Sequence, residues 1–204
     1  PGNKYDGWNE YVLYGGLPPV VLLSTEEQKI ELLKRLFDET YINDIVGRHK
    51  IRNRDEFEDL INILSSGIGS LTNPKKLADT FKSKKNKTIS VNTIKSYLDY
   101  LCDAFVVSRA TRYDIKGRKY IGANLKYYFV DLGLRNARLN FRQQEPTHIM
   151  ENVVYNELLV RGYNVDVGIV EVMEKNNEGK RIHKQLEVDF VVNKTDKRYY
   201  IQSA

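Results

Sequence analysis

The chain has 204 residues, 41% of them hydrophobic and 29% charged, enough for one large or two small globular domains. No apolar run approaches the ~20 residues that span a bilayer, and one cysteine, Cys102, excludes an internal disulfide framework or a cysteine-built zinc site. The net charge of +5 is modest, but Leu71 to Lys126 holds thirteen Lys and Arg against four Asp and no Glu, a local +9. Such a concentration of positive charge points to a polyanion partner, with a solvated basic face as the plainer alternative.

The start, "PGNKYDGWNEYVLYGG", has neither a basic nor an apolar leader region, so no signal peptide is expected. It lacks an initiator methionine, which leads us to expect a piece of a longer chain. A single cysteine fits a reducing compartment, and a cytoplasmic location is expected. "YGGLP" reads as a turn, and Trp8 as a packing residue.

Ser24 with Glu27 forms a capping-box pattern ahead of Ile30, Leu33, Leu36, Phe37, Ile42 and Ile45, which recur at helical spacing. A second helix is expected from Phe57, Leu60, Ile61 and Leu64, ending at Gly67. Asn73 and Pro74 suit the start of a third. After the basic "KSKKNKT", Ser90 caps "VNTIKSYLDYLCDA", within which Cys102 continues the apolar spacing as a buried thiol. "FVVSRATRYDIKGRKYIG" then reads as two strands around a Gly117 turn.

Helices followed at once by a basic hairpin are the plan of a winged helix-turn-helix module. In that reading Lys84, Lys85, Lys95, Lys116, Arg118 and Lys119 contact nucleic acid, with DNA as the expected partner. A protein-docking role uses the same surface.

The chain is divided into a helical region over 1–70, a winged-helix module over 71–136 and a third region over 137–204. "THIMENVVYNELLVRG" predicts a helix with Ile149, Val153 and Leu158 inward, closed by Gly162. Three strands follow, "YNVDVGIVEV", "QLEVDFVV" and "YYIQ". The fold class is therefore α/β. Helix and three strands form the first half of a restriction-endonuclease-like core, in which acids on neighbouring strands converge on a hard cation such as Mg²⁺. Asp189 fits the strand acid, Gln202 its partner on the next strand, and Glu151 the helical acid. Alternation predicts that Glu187 and Asp189 share a face opposite Leu186, Val188 and Phe190. Ala204 stands where a lysine belongs, with Lys184 a nearby substitute, so little or no hydrolysis is expected. An active metal-dependent nuclease is the alternative. His49, His148 and His183 are scattered without ligand spacing.

"YVLYGGLPPV", "YLDYLCDAFVVSRATRYDIKGRKYI", "LKYYFVDLGLRNA", "ENVVYNELLVRGYNVDVG" and "LEVDFVV…YYIQSA" together resemble the C-terminal part of prokaryotic AAA-family ATPases. The resemblance implies an N-terminal P-loop module in the parent, with ATP and Mg²⁺ as its ligands and this region docked on it. No G-x-x-x-x-G-K-[ST] occurs in these 204 residues, so they supply no phosphate cradle.

Overall fold

Asn3 starts the fold. Its side chain accepts hydrogen bonds from the amides of Tyr5 and Asp6, and the Asp6 carboxylate accepts one from the Asn3 amide. This capping box opens α1, Lys4–Tyr14, a helix with no counterpart in the sequence reading. Trp8 is exposed on it rather than packed. The computed structural model describes residues 3–85, 88–142, 145–175 and 181–203.

α1 ends at Gly15, whose φ of +74° favours glycine, and a Cβ there would lie 2.1 Å from the Asp131 carboxylate. Asp131 caps α8, Leu132–Arg138, by accepting the Leu134 amide, and it also accepts the Gly16 amide at 2.8 Å. Asn136 donates its amide group to the Val12 and Leu13 carbonyls. The "YGGLP" turn and the "VDLGLRNA" segment are therefore one joint, made of backbone groups and three polar atoms.

Most helices form a layer around one core. α2 spans Pro18–Val21, and α3, Glu26–Arg35, runs through a π-helical stretch, Leu36–Ile42, into α4, Asn43–Arg48. Thr25, not Ser24, caps α3, accepting the Gln28 amide. α5 is Arg54–Ser66, stopped at Gly67, and α6 is Pro74–Lys85, capped by Asn73 through the Lys75 and Lys76 amides. α7, Val91–Asp103, is capped by Ser90. Leu33, Phe37, Ile45, Phe57, Leu60, Ile61, Ile94 and Leu101 close on one another with almost no exposure. Cys102 packs against this core half-buried, and burial pushes its thiol up to about 11, so it stays protonated at neutral pH.

The strands are β1 (Leu71–Thr72), β2 (Val107–Asp114), β3 (Lys119–Phe129), β4 (Asn164–Lys175), β5 (Arg181–Lys194) and β6 (Lys197–Ile201). They form one sheet in the order β1-β3-β2-β4-β5-β6, antiparallel except for the parallel pair β2–β4. The fold is mixed α/β. The parallel step is possible because α9, Pro146–Val160, carries the chain back between β3 and β4. The basic hairpin of the winged-helix reading is thus continuous with the C-terminal strands, and the sheet crosses the boundary placed at 136–137. At its tip, Asp114 accepts the Lys116 and Gly117 amides, and a Cβ on Gly117 would lie 2.2 Å from that carboxylate.

α9 covers one face of the sheet, where Tyr128, Tyr155, Val165, Val167, Phe190 and Val192 pack together. Its buried residues are Ile149, Glu151, Asn152 and Tyr155, while Val153 and Leu158 are only half-buried. Polar groups displace the expected aliphatic face because α9 is pinned to backbone. Asn152 accepts the Phe129 amide and donates to the Phe129 carbonyl, both at 2.8 Å. On the opposite face, Val107, Tyr127 and Phe129 pack into the helical core.

Asn152→Ala leaves the buried Phe129 amide unpaired, while the Phe129 carbonyl keeps Asn156 as a donor, so a loss of about 2 kcal/mol is expected, at 1–3 kcal/mol per orphaned group. Urea unfolding monitored by circular dichroism measures it, and an unchanged midpoint would disprove the clasp.

Candidate functional site

Lys126 lies in β3 within "NLKYYF", with a side chain only 5% exposed. Its ammonium donates to Glu151 Oε1 at 2.8 Å and lies 2.5 Å from Glu187 Oε1. Tyr128, two residues on and on the same face, donates its hydroxyl to the same Glu151 oxygen at 2.6 Å. Gly69, with φ +70°, passes against Glu151, where a Cβ would lie 3.3 Å from Oε2. Beside them Arg112, also buried, donates to Gln185 at 2.7 Å.

The electrostatics follow from this geometry. Burial alone would lower the Lys126 ammonium, yet the hydrogen bonds and charges of Glu151 and Glu187 hold it above the ordinary lysine value. Burial, then the charge and hydrogen bond of Glu151, push the Tyr128 phenol far up, so it remains a donor. Burial draws the Arg112 guanidinium down, and the Glu187 charge opposes that.

Asp189 and Gln202 are brought together, but by backbone. The Asp189 amide donates to Gln202 Oε1 at 3.4 Å, and Asp189 Oδ2 accepts both the amide and hydroxyl of Ser203 at 2.7 Å. Glu151 meets Glu187, through Lys126. The reason is a bulge. Asp166 pairs with Val191 and Gly168 with Val188, two steps on β4 against three on β5. The extra residue breaks the alternation, so Glu187 and Phe190 both point to the α9 face, contrary to the expected pattern.

A divalent cation does not fit this donor set as placed. The Lys126 ammonium already stands between Glu151 and Glu187 and offsets one of their two charges, and Ser203 holds Asp189. Among the described residues no group of three or more His, Cys, Asp and Glu is arranged to hold a metal. Lys184 pairs with Glu174 at 3.2 Å on the exposed hairpin. Ala204 lies outside the described residues. Sequence reasoning missed Lys126, although a lysine inside an apolar strand is the same anomaly as Glu187 inside β5.

Of the basic residues, Lys95, Lys116, Arg118 and Lys119 are exposed, and Lys116 donates to the Glu171 carbonyl at 3.2 Å. The side chains of Lys84 and Lys85 lie outside the described residues. Lys95 lines a groove of about 410 Å³ between α6, α7 and β2–β3, together with Lys75, Arg109, Asn73 and Asn124. Asp99 neutralises Arg109 at 2.9 Å, which leaves Lys75 and Lys95 as the groove's net charge.

A mixed α/β domain with a lysine buried between two glutamates is therefore what this sequence encodes. Residues 5–145 match a domain of unknown function, DUF8612, and the chain belongs to that family. It is similar to an uncharacterized protein of Haemophilus influenzae, 36% identical over 197 residues, which covers 97% of this chain and 46% of that protein. An uncharacterized protein of Methanocaldococcus jannaschii is 32% identical over 200 residues, covering 96% of this chain and 44% of that protein. The chain thus spans less than half the length of these relatives. No solved structure matches it significantly. No helix among the described residues is long and apolar enough to cross a membrane.

Lys126→Met strands two acids around a buried site, and a loss of about 3 kcal/mol is expected. Because the folded ammonium titrates above its unfolded value, its contribution is complete below the ordinary lysine range and lost as pH rises through the raised value. The parent should therefore lose stability in that alkaline window, and the variant should show a shallower decline. Melting curves at neutral and alkaline pH measure both, and parallel declines would contradict the pairing.

Proposed function

We propose that this chain is the nucleic-acid recognition region of a larger prokaryotic AAA-family ATPase, cytoplasmic, with a winged-helix-like basic part and a degenerate nuclease-like part. One observation carries it. The groove between α6, α7 and the hairpin sets Lys75 and Lys95 beside capping Asn73, inside the segment whose local charge is +9. Ammonium groups lining a groove on a basic segment are suited to backbone phosphates, which position a duplex without reading its sequence. The exposed Lys116, Arg118 and Lys119 at the hairpin tip extend the same field.

The ATPase parentage rests on the five ordered sequence blocks, and the greater length of the relatives leaves room for such a module. In that parent, ATP and Mg²⁺ bind outside these residues, and this region docks on the module that binds them. The degenerate nuclease reading is favoured by the Lys126 ammonium, which takes the charge-neutralising place between acids that a cation would hold. The residues assigned to that site remain Glu151, Asp189 and Gln202, joined by Glu187.

Duplex DNA should bind weakly and with little sequence preference, and its affinity should fall steeply with salt. Lys75→Ala with Lys95→Ala should lower the slope of log affinity against log salt by about 1.8, at ~0.9 per phosphate contact. Fluorescence anisotropy across a salt series measures this. Binding indistinguishable from the parent would remove the groove from the interface, and no binding at low salt would favour protein docking.

Calorimetry of the chain with ATP and Mg²⁺ should show no saturable heat. A micromolar isotherm would sink the assignment of ATP to another module.

A further inference from the structure

The sheet face opposite α9 is covered by helices only where Val107, Tyr127 and Phe129 enter the core. Beyond them, among the described residues, it carries an uncovered strip of aromatic and basic groups. Tyr113 on β2 and Tyr120 on β3 are cross-strand partners, with rings edge to face at 5.4 Å. Tyr113 pairs with Gly168 of β4, while Asp166, two residues before it, pairs with Val191 of β5, which pairs with Tyr200 of β6. The Arg198 guanidinium lies over the Tyr113 ring, 4.9 Å from its centroid. Tyr120 is 66% exposed and Tyr200 54%. Four strand spacings separate β3 from β6, about 19 Å across the sheet at ~4.8 Å per strand.

The strip is preorganised and its charge is one-sided. The Tyr120 hydroxyl donates to Asp166 Oδ2 at 3.4 Å, and Thr111 donates to Oδ1, so the ring is held while its face stays open. Asp166 is buried beneath these donors, and the Asp114 carboxylate is engaged by the turn amides. Arg198, together with Arg118 and Lys119 just before Tyr120, remains exposed. Exposed tyrosines cost free energy in water, and apolar partners would not call for guanidinium groups between them. Flat rings with cations beside them match unpaired bases joined by phosphates.

We propose that this face is a stacking platform for single-stranded nucleic acid, with Tyr120 and Tyr200 under the bases and Arg198 and Arg118 on the phosphates. It goes beyond the duplex groove, whose lining holds none of the platform residues, although the hairpin-tip cations are common to both surfaces.

Fluorescein-labelled oligothymidylate and oligouridylate of about 15 nucleotides, titrated with the 204-residue chain at low salt, test it. Saturable anisotropy with either strand is expected. Tyr120→Ala with Tyr200→Ala should weaken it at least about tenfold, while the Tyr→Phe pair, which keeps both rings, should bind within about twofold of the parent. Lys75→Ala with Lys95→Ala should leave single-strand binding intact whether or not duplex binding changes. Circular dichroism confirms that each variant is folded. No saturable binding of either strand, an alanine pair that binds like the parent, or equal loss in the Lys75/Lys95 variant would overturn the platform.

Discussion

One ammonium group ties the two ends of this fold together. Lys126 reaches from β3 to Glu151 on α9 and to Glu187 on β5, elements separated by the whole crossover. Lys126 and Glu151 are buried, so each alone would be costly, while Glu187 closes the bridge from the half-open side. The bridge therefore imposes a geometric demand. α9 must lie at the height where Glu151 meets β3, and β5 must bulge so that Glu187 and Phe190 share a face. The Asn152 clasp on Phe129 sets that height independently, and the Tyr128 hydroxyl completes the oxygen's coordination.

This arrangement separates the surfaces that can act. The α9 face is sealed by Tyr128, Tyr155 and Phe190, which leaves function to the rims and the far face. The groove at α6–α7 lies at one end, where helices meet the hairpin. The tyrosine strip starts on the same hairpin, at Tyr113 and Tyr120, and runs to Arg198 and Tyr200 of β6. Because the hairpin belongs to the sheet, its basic tip is fixed relative to both, with Lys116 tied to the Glu171 carbonyl. A free wing adjusts to its ligand. This one presents a set surface.

Much of the helical layer was legible in the sequence, because caps and period leave local marks. Asn73, Ser90, Gly67, Gly117 and Gly162 act where their residue types predict. The α1 helix escaped because its signal, Asn3 with Asp6, precedes a stretch with little amphipathic period. The site was only half legible. Glu151, Glu187 and Asp189 announced themselves as acids in apolar settings. Their partners could not, since the bulge at Asp189 and Phe190 changes which residues face each other and has no compositional mark. Lys126 is far from all of them in sequence. Only the sheet order brings it there.

The central claim is that Lys126, Glu151 and Glu187 act as one unit joining β3, α9 and β5. A double-mutant cycle with Lys126→Met and Glu187→Gln, read by urea unfolding, tests it most directly. The account predicts a coupling energy of about 1 kcal/mol or more, with the double variant more stable than the sum of the single losses implies. Strict additivity would contradict it and show that the two groups are neighbours without being partners.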